Sequence, residues 1–200
     1  MSTFCHTRLS ARPWVYRTRG GSSVQLPSPA PKSEAMTNSG DKSTRGASSQ
    51  FFVAGELCRR GLVAVVTMGN TPNTDILCSN LAGTKFIHVQ VKTYVPGSRT
   101  VSVGRKAEVD SGPSFFWILG GIPHPSSNDP FEYFVIPAEE VAKNVRESHQ
   151  LWLATKGKNG REHKDSDVRT ITLPPSKCFN GWDISKHKNN WIVIEDLLKG

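Results

Sequence analysis

What this 200-residue chain lacks narrows its class first. Its four cysteines, Cys5, Cys58, Cys78 and Cys178, stand far apart, with no C-x-x-C pair and no histidine at zinc spacing. That argues against a disulfide framework or a structural zinc site and fits free thiols in a reducing, cytoplasmic setting. Long hydrophobic runs are missing as well. The longest, FFWILGG at 115–121, falls well short of the ~20 apolar residues a membrane helix needs and reads as a buried strand, so no membrane partner is expected. The doublets Gly20-Gly21 and Gly120-Gly121 lack the surrounding pattern of a phosphate-binding loop. No internal repeat is visible.

Acidic residues are absent before Glu34. The stretch 1–47 is rich in Ser, Pro, Gly, Thr and Arg and has no hydrophobic period, so it cannot bury enough apolar surface to offset chain entropy. The expectation is an unfolded extension, or sequence upstream of a true start at Met36, rather than a targeting segment. The formal charge of +8 is concentrated there: residues 1–50 carry seven Lys or Arg against two acids, residues 51–200 eighteen against fifteen. The folded part is therefore mildly basic, which permits a nucleic-acid partner without requiring one.

From residue 48 to 200 the pattern is that of one α/β domain. SSQFFVAGELCRR (48–60) has a Ser cap and apolar residues Phe52, Leu57 and Cys58 at helical spacing, with Gly61 as the stop. LVAVVTM and DILCS are short strands, and FIHVQVKTY (86–94) alternates cleanly, so 75–94 forms a β-hairpin. The segment 96–113 is expected to be a polar loop. SFFWIL and FEYFVIP are two further strands, and a helix opens after Pro137 with Glu139 and Glu140 in its first turn. DVRTITLP suits a strand, and NNWIVIEDLL either a strand or a terminal helix. The order of elements predicts a central mixed β-sheet flanked by helices.

On the central strand Ile87, Val89, Val91 and Thr93 point one way, as a surface packed against helices requires. The other face carries His88, Gln90, Lys92 and Tyr94. Metal-assisted cleavage of a phosphodiester needs hard oxygen ligands and a cation near the attacking water. Asp75, at the start of the preceding arm, Gln90 and the Val91 carbonyl supply such oxygens, and Glu56 in the helix is a further ligand candidate. Lys92 can steer or deprotonate the water and offset charge growing on phosphorus. Arg99, Arg105 and Lys106 are placed to grip phosphates. Each residue also has a structural role open to it. Asp75 would cap the PNTD turn, Glu56 would pair with Arg59 or Arg60, and Gln90 would bond a strand neighbour.

Helix with Glu, strand, TD, turn and QVK, in that order, resembles the PD-(D/E)XK nuclease superfamily, the restriction-endonuclease-like fold. More narrowly, GELCRRGLVAVVTMGNTPNTDILCSNLAGTKFIHVQVKT is similar to small bacterial proteins of that superfamily, and FFWIL and YFVIPAEEV fit its closing strands and helix. The likeness spans roughly residues 50–150. It implies an endonuclease-like phosphodiester hydrolase acting on DNA, with Mg²⁺ or Mn²⁺ as cofactor and a homodimer as a candidate assembly. Two departures stand out. Thr74 occupies the place of the name-giving proline, and Gln90 replaces an acidic ligand, as in some Mrr-like branches. The neutral amide keeps a rival open: the same fold with a weakened site, binding nucleic acid or a protein. The geometric requirement is strict, since Asp75, Gln90 and Lys92 must meet on one face of the hairpin.

Overall fold

The computed structural model describes residues 39–68 and 71–199. Its strands are β1 (Val63–Val66), β2 (Ile76–Ser79), β3 (Phe86–Tyr94), β4 (Thr100–Ser102), β5 (Phe115–Gly121), β6 (Glu132–Pro137) and β7 (Thr170–Thr172). Its α-helices are α1 (Ser39–Arg59), α2 (Ala138–Ala154) and α3 (Ile192–Leu198). β3 lies in the middle of a five-stranded sheet of order β1-β2-β3-β5-β6. The β3–β5 pair is parallel, with Gln90 beside Trp117 and Lys92 beside Leu119, and the other three pairs are antiparallel. This is the mixed α/β core, a central mixed sheet flanked by helices, that the order of elements led us to expect.

The alternation of β3 sorts its side chains into two cores. Ile87, Val89 and Val91 join Val53, Leu57, Trp191, Ile194 and Leu198 in the layer beneath α1 and α3. On the opposite face Tyr94, Trp117 and Leu119 pack with Val141 and Val145 of α2 and with Val101, Ala107 and Ile171. Both faces are thus covered, and the Gln90 amide on the second face is only 4% exposed.

Parallel pairing forces the chain to cross over between β3 and β5. Residues 96–113, read from sequence as a polar loop, make that crossover with structure of their own. β4 pairs antiparallel with β7 as a second small sheet, and Arg105–Glu108 forms a 3₁₀ turn whose Ala107 is wholly buried. Three-residue strands leave too little alternation to read from sequence, and β4 finds its partner some seventy residues away. The C-terminal segment, left open between strand and helix, is the helix α3.

Helix α1 differs from expectation in extent and phase. It begins at Ser39, well inside the stretch assigned to an unfolded extension, and its buried face is Ser49, Val53, Ala54 and Leu57, with Phe52 and Cys58 exposed. Expectations for residues 1–38 lie outside the described residues. The helix ends as predicted. Leu62 N donates to Leu57 O and Gly61 N to Cys58 O, with Gly61 at φ 80°, the left-handed C-terminal closure that glycine accommodates. Among the described residues no helix is long and apolar enough to cross a membrane, and Cys58, Cys78 and Cys178 are unpaired.

Candidate active site

The β2–β3 ladder stops at Ile76 opposite Val89, so β3 runs on past the end of β2. Asp75 stands at this junction. Its N–H donates to Val89 O, which ties it to β3 just beyond the last paired residue, Ile76. Its Oδ2 accepts from the Val91 N–H at 2.7 Å and from Gln90 Nε2. Strand residues turn both backbone polar groups to the same neighbour, so the Val91 carbonyl faces the same open edge as its N–H. The turn before Asp75 is held by Thr67 Oγ1, which donates to Thr74 O at 2.6 Å, and by Asn73 at φ 62°. Thr74 itself meets His88 Nδ1 through its hydroxyl at 3.2 Å, while the His88 ring stacks on Phe115.

Two positions along β3, Lys92 projects from the same face as Gln90 and is half-buried. Burial pushes its pKa below the ordinary lysine value, the nearby Lys106 charge pushes it the same way, and Asp75 opposes both. Gln90 and Lys92 thus share one face of β3, and the Asp75 carboxylate is hydrogen-bonded to the first and acts electrostatically on the second.

The remaining candidates fall elsewhere. Glu56 is not brought to this face. Its carboxylate is bound by Arg59 (2.8 Å) and Arg60 (2.9 Å), and those hydrogen bonds hold it below the usual carboxylate range against its partial burial. It lines a cleft of about 540 Å³ with Phe51, Phe52, Tyr133 and Trp191, on the α1 side of the sheet. The i+3 and i+4 arginines take the acid locally, as their spacing permits. Arg105 pairs with Asp165 and Asp167, both at 3.1 Å. Arg99 lines a separate cleft of about 490 Å³ with Tyr94, Pro174 and Pro175. Lys106, assigned from sequence to phosphate binding, turns inward. Its Nζ donates to Gln90 Oε1 at 2.6 Å.

Sequence reasoning missed this last contact. The signal available was the cation pair Arg105-Lys106, but its meeting with β3 depends on the 3₁₀ turn and the β4–β7 pairing, neither of which is legible locally. Among the described residues no three His, Cys, Asp or Glu side chains cluster as metal ligands, so any cation here would rely on one carboxylate and neutral oxygens. Trp182 and Trp191 are packing residues, and Trp152 is stacked between His149 and His163.

No family profile matches the chain. A curated relative, auxin-binding protein T85 of Nicotiana tabacum, is 30% identical over 112 residues, covering 54% of this chain and 57% of that protein. The chain thus spans little more than half of that relative's length. Two solved structures overlap it. The bacterial homing endonuclease I-Ssp6803I does so at TM-score 0.45 and 14% identity, over 78% of this chain and 92% of its own. The Holliday junction resolvase Hjc of Archaeoglobus fulgidus does so at TM-score 0.36 and 14% identity, over 64% and 83%. At that identity and overlap neither transfers a residue role, and the site is read from this chain's own geometry.

Proposed function

We propose that the chain is a divalent-metal-dependent phosphodiester hydrolase acting on DNA as an endonuclease. The observation that supports the proposal is the Asp75 carboxylate bonded to Gln90 and to the Val91 N–H where β3 outruns β2, with Lys92 on the same face of β3 as Gln90. The donors suit a hard cation such as Mg²⁺ or Mn²⁺: a carboxylate, a backbone carbonyl and, once turned, an amide oxygen. When bound, such a cation supplies Lewis-acid polarisation of a phosphoryl oxygen. Asp75 provides the anionic ligand and fixes the end of the hairpin. Lys92 sets its ammonium against the phosphate and stabilises charge growing there, and its lowered pKa suits it to take up a proton from the attacking water. Two ammonium groups near one carboxylate make the site attractive to a polyanion.

A second reading, a nuclease-fold module that binds nucleic acid without cutting it, is favoured by one observation. The Gln90 amide is held at both ends, its NH₂ by Asp75 and its oxygen by Lys106. Purified protein incubated with end-labelled duplex, junction and single-stranded oligonucleotides, in Mg²⁺, Mn²⁺ or EDTA, separates the two. Cleavage that EDTA abolishes supports the hydrolase, and retention of DNA without product supports the binding module.

A further inference from the structure

The Gln90 amide has no free choice of orientation. A carboxylate only accepts hydrogen bonds and an ammonium only donates them. Asp75 therefore takes the amide NH₂ and Lys106 takes the amide oxygen. Turning the amide by half a rotation would set NH₂ against ammonium and oxygen against carboxylate. As held, Gln90 offers the Asp75 side of the site a donor, and the oxygen a cation would need points away.

Lys106 is not a loosely placed surface lysine, although its side chain is exposed. The 3₁₀ turn that carries it is fixed on both sides. Ala107 is wholly buried, Arg105 pairs with Asp165 and Asp167, and Glu108 is bound by the buried Arg169. Gly104, at φ 76°, sets the chain's entry into the turn. The crossover between β3 and β5 thus delivers one ammonium to one amide oxygen, on the open side of a face that is otherwise sealed.

We propose that Lys106 is a lock on the cation site: by holding Gln90 Oε1 it keeps the amide turned with its NH₂ toward Asp75, and a divalent ion binds only as Lys106 lets the oxygen go. This rests on the reading of Asp75, Val91 and Gln90 as cation ligands and adds a positioning residue to it. The physical basis is direct. Without Lys106 the amide oxygen loses its cationic partner, and a cation beside Asp75 becomes the strongest replacement for it. Releasing Lys106 also frees an ammonium at the mouth of the site, where a phosphate of the substrate is the natural competitor for it.

The test uses Mn²⁺ alone, without DNA, titrated into the full chain and followed by the electron paramagnetic resonance signal of free Mn²⁺. Asp75→Asn defines the background. Lys106→Ala is expected to bind Mn²⁺ more tightly than the native chain, on the order of tenfold, the worth of one charged hydrogen bond. Lys106→Arg, which keeps a cationic donor, should stay within about twofold of native by the same reasoning. In a Gln90→Ala background the gain from Lys106→Ala should vanish, because the lock acts through the amide. Because Lys106 is exposed, near-ultraviolet circular dichroism should report the same fold in every Lys106 variant. Native binding with no tightening in Lys106→Ala overturns the lock and leaves the cation site standing. A gain that persists in the Gln90→Ala background overturns it too, since simple charge repulsion then suffices. Absence of Asp75-dependent binding in all variants overturns the cation site and the lock with it.

Discussion

The Val91 N–H donates to Asp75 Oδ2 at 2.7 Å, in the place where a longer β2 would offer a backbone carbonyl. One carboxylate thus ends a strand ladder and faces the candidate site, so its structural and chemical roles must be separated by substitution. Asp75→Ala leaves the Val91 N–H and the buried Gln90 amide without an acceptor and should cost about 1–3 kcal/mol in urea unfolding. Asp75→Asn keeps an acceptor and should cost less, yet it removes the only anionic ligand and should abolish cleavage equally. If Asp75→Asn cleaves DNA at the native rate, the carboxylate is only a strand cap.

Gly120 lies close against helix α1. A Cβ there would lie 2.5 Å from Ser49 Oγ, which is buried on the helix. Gly120→Ala should therefore push α1 outward and destabilise the chain by about 1–3 kcal/mol. Ser49→Ala, combined with it, should recover part of that loss because it removes the atom in conflict. Chemical denaturation of the two single variants and the double variant measures the coupling. Purely additive effects would show that the contact does not hold the helix.

Much of this arrangement was legible in the sequence, for identifiable reasons. β3 is nine residues long and alternates without a break, so its faces, its hairpin partner and the meeting of Gln90 and Lys92 followed from period alone. β5 and β6 were visible as apolar runs separated by a Pro-rich loop, and α2 by its proline and first-turn acids. The extent of α1 was hidden because its N-terminal residues are Ser, Thr, Lys, Arg and Gly, weak in helical period and set in a polar stretch. Of the two roles open to Glu56, the local pairing with Arg59 and Arg60 is the one formed, as i+3 and i+4 spacing allows. The contact of Lys106 with Gln90 depends on pairing between β4 and β7, a long-range event that short strands do not announce.

The extent of α1 changes what can be removed. A chain beginning at Met36 keeps the whole helix and should melt as the full chain does. One beginning at Ser48 loses the first turns and exposes the end that carries Ser49 and Val53, so its melting temperature should fall by several degrees, the shift expected for a loss of ~1 kcal/mol or more. Equal melting of the two truncated chains would show that residues 39–47 add nothing to the fold.

Glu140 at the start of α2 supplies a pH signature. Burial raises its pKa, but hydrogen bonds from Lys186, His187 and Trp182 outweigh that and bring it down to about 2, from 4.5. A carboxyl depressed on folding stabilises the chain above its unfolded pKa, and the gain is lost as pH falls through the folded value. Unfolding free energy should therefore decline between about pH 4.5 and pH 2, by on the order of 1–2 kcal/mol from this group once solvent screening is allowed for. Glu140→Gln should be less stable at neutral pH and should flatten that part of the profile. An unchanged acid slope in the variant would assign the decline to other carboxylates.

The central claim is that Asp75, Gln90 and Lys92 form a hydrolytic metal site, and nicking of supercoiled plasmid as a function of metal concentration tests it most directly. The native chain should nick with Mn²⁺ more readily than with Mg²⁺, and EDTA should stop it, because a single carboxylate holds the ion weakly. Gln90→Glu adds the second carboxylate and should reach half-maximal rate at lower metal concentration. Lys92→Ala should lose turnover while still retarding DNA in a gel, since one phosphate contact among several contributes little to affinity. Retardation of DNA with no nicking by either the native chain or Gln90→Glu, in either metal, would contradict the claim and leave a module that binds nucleic acid without cutting it.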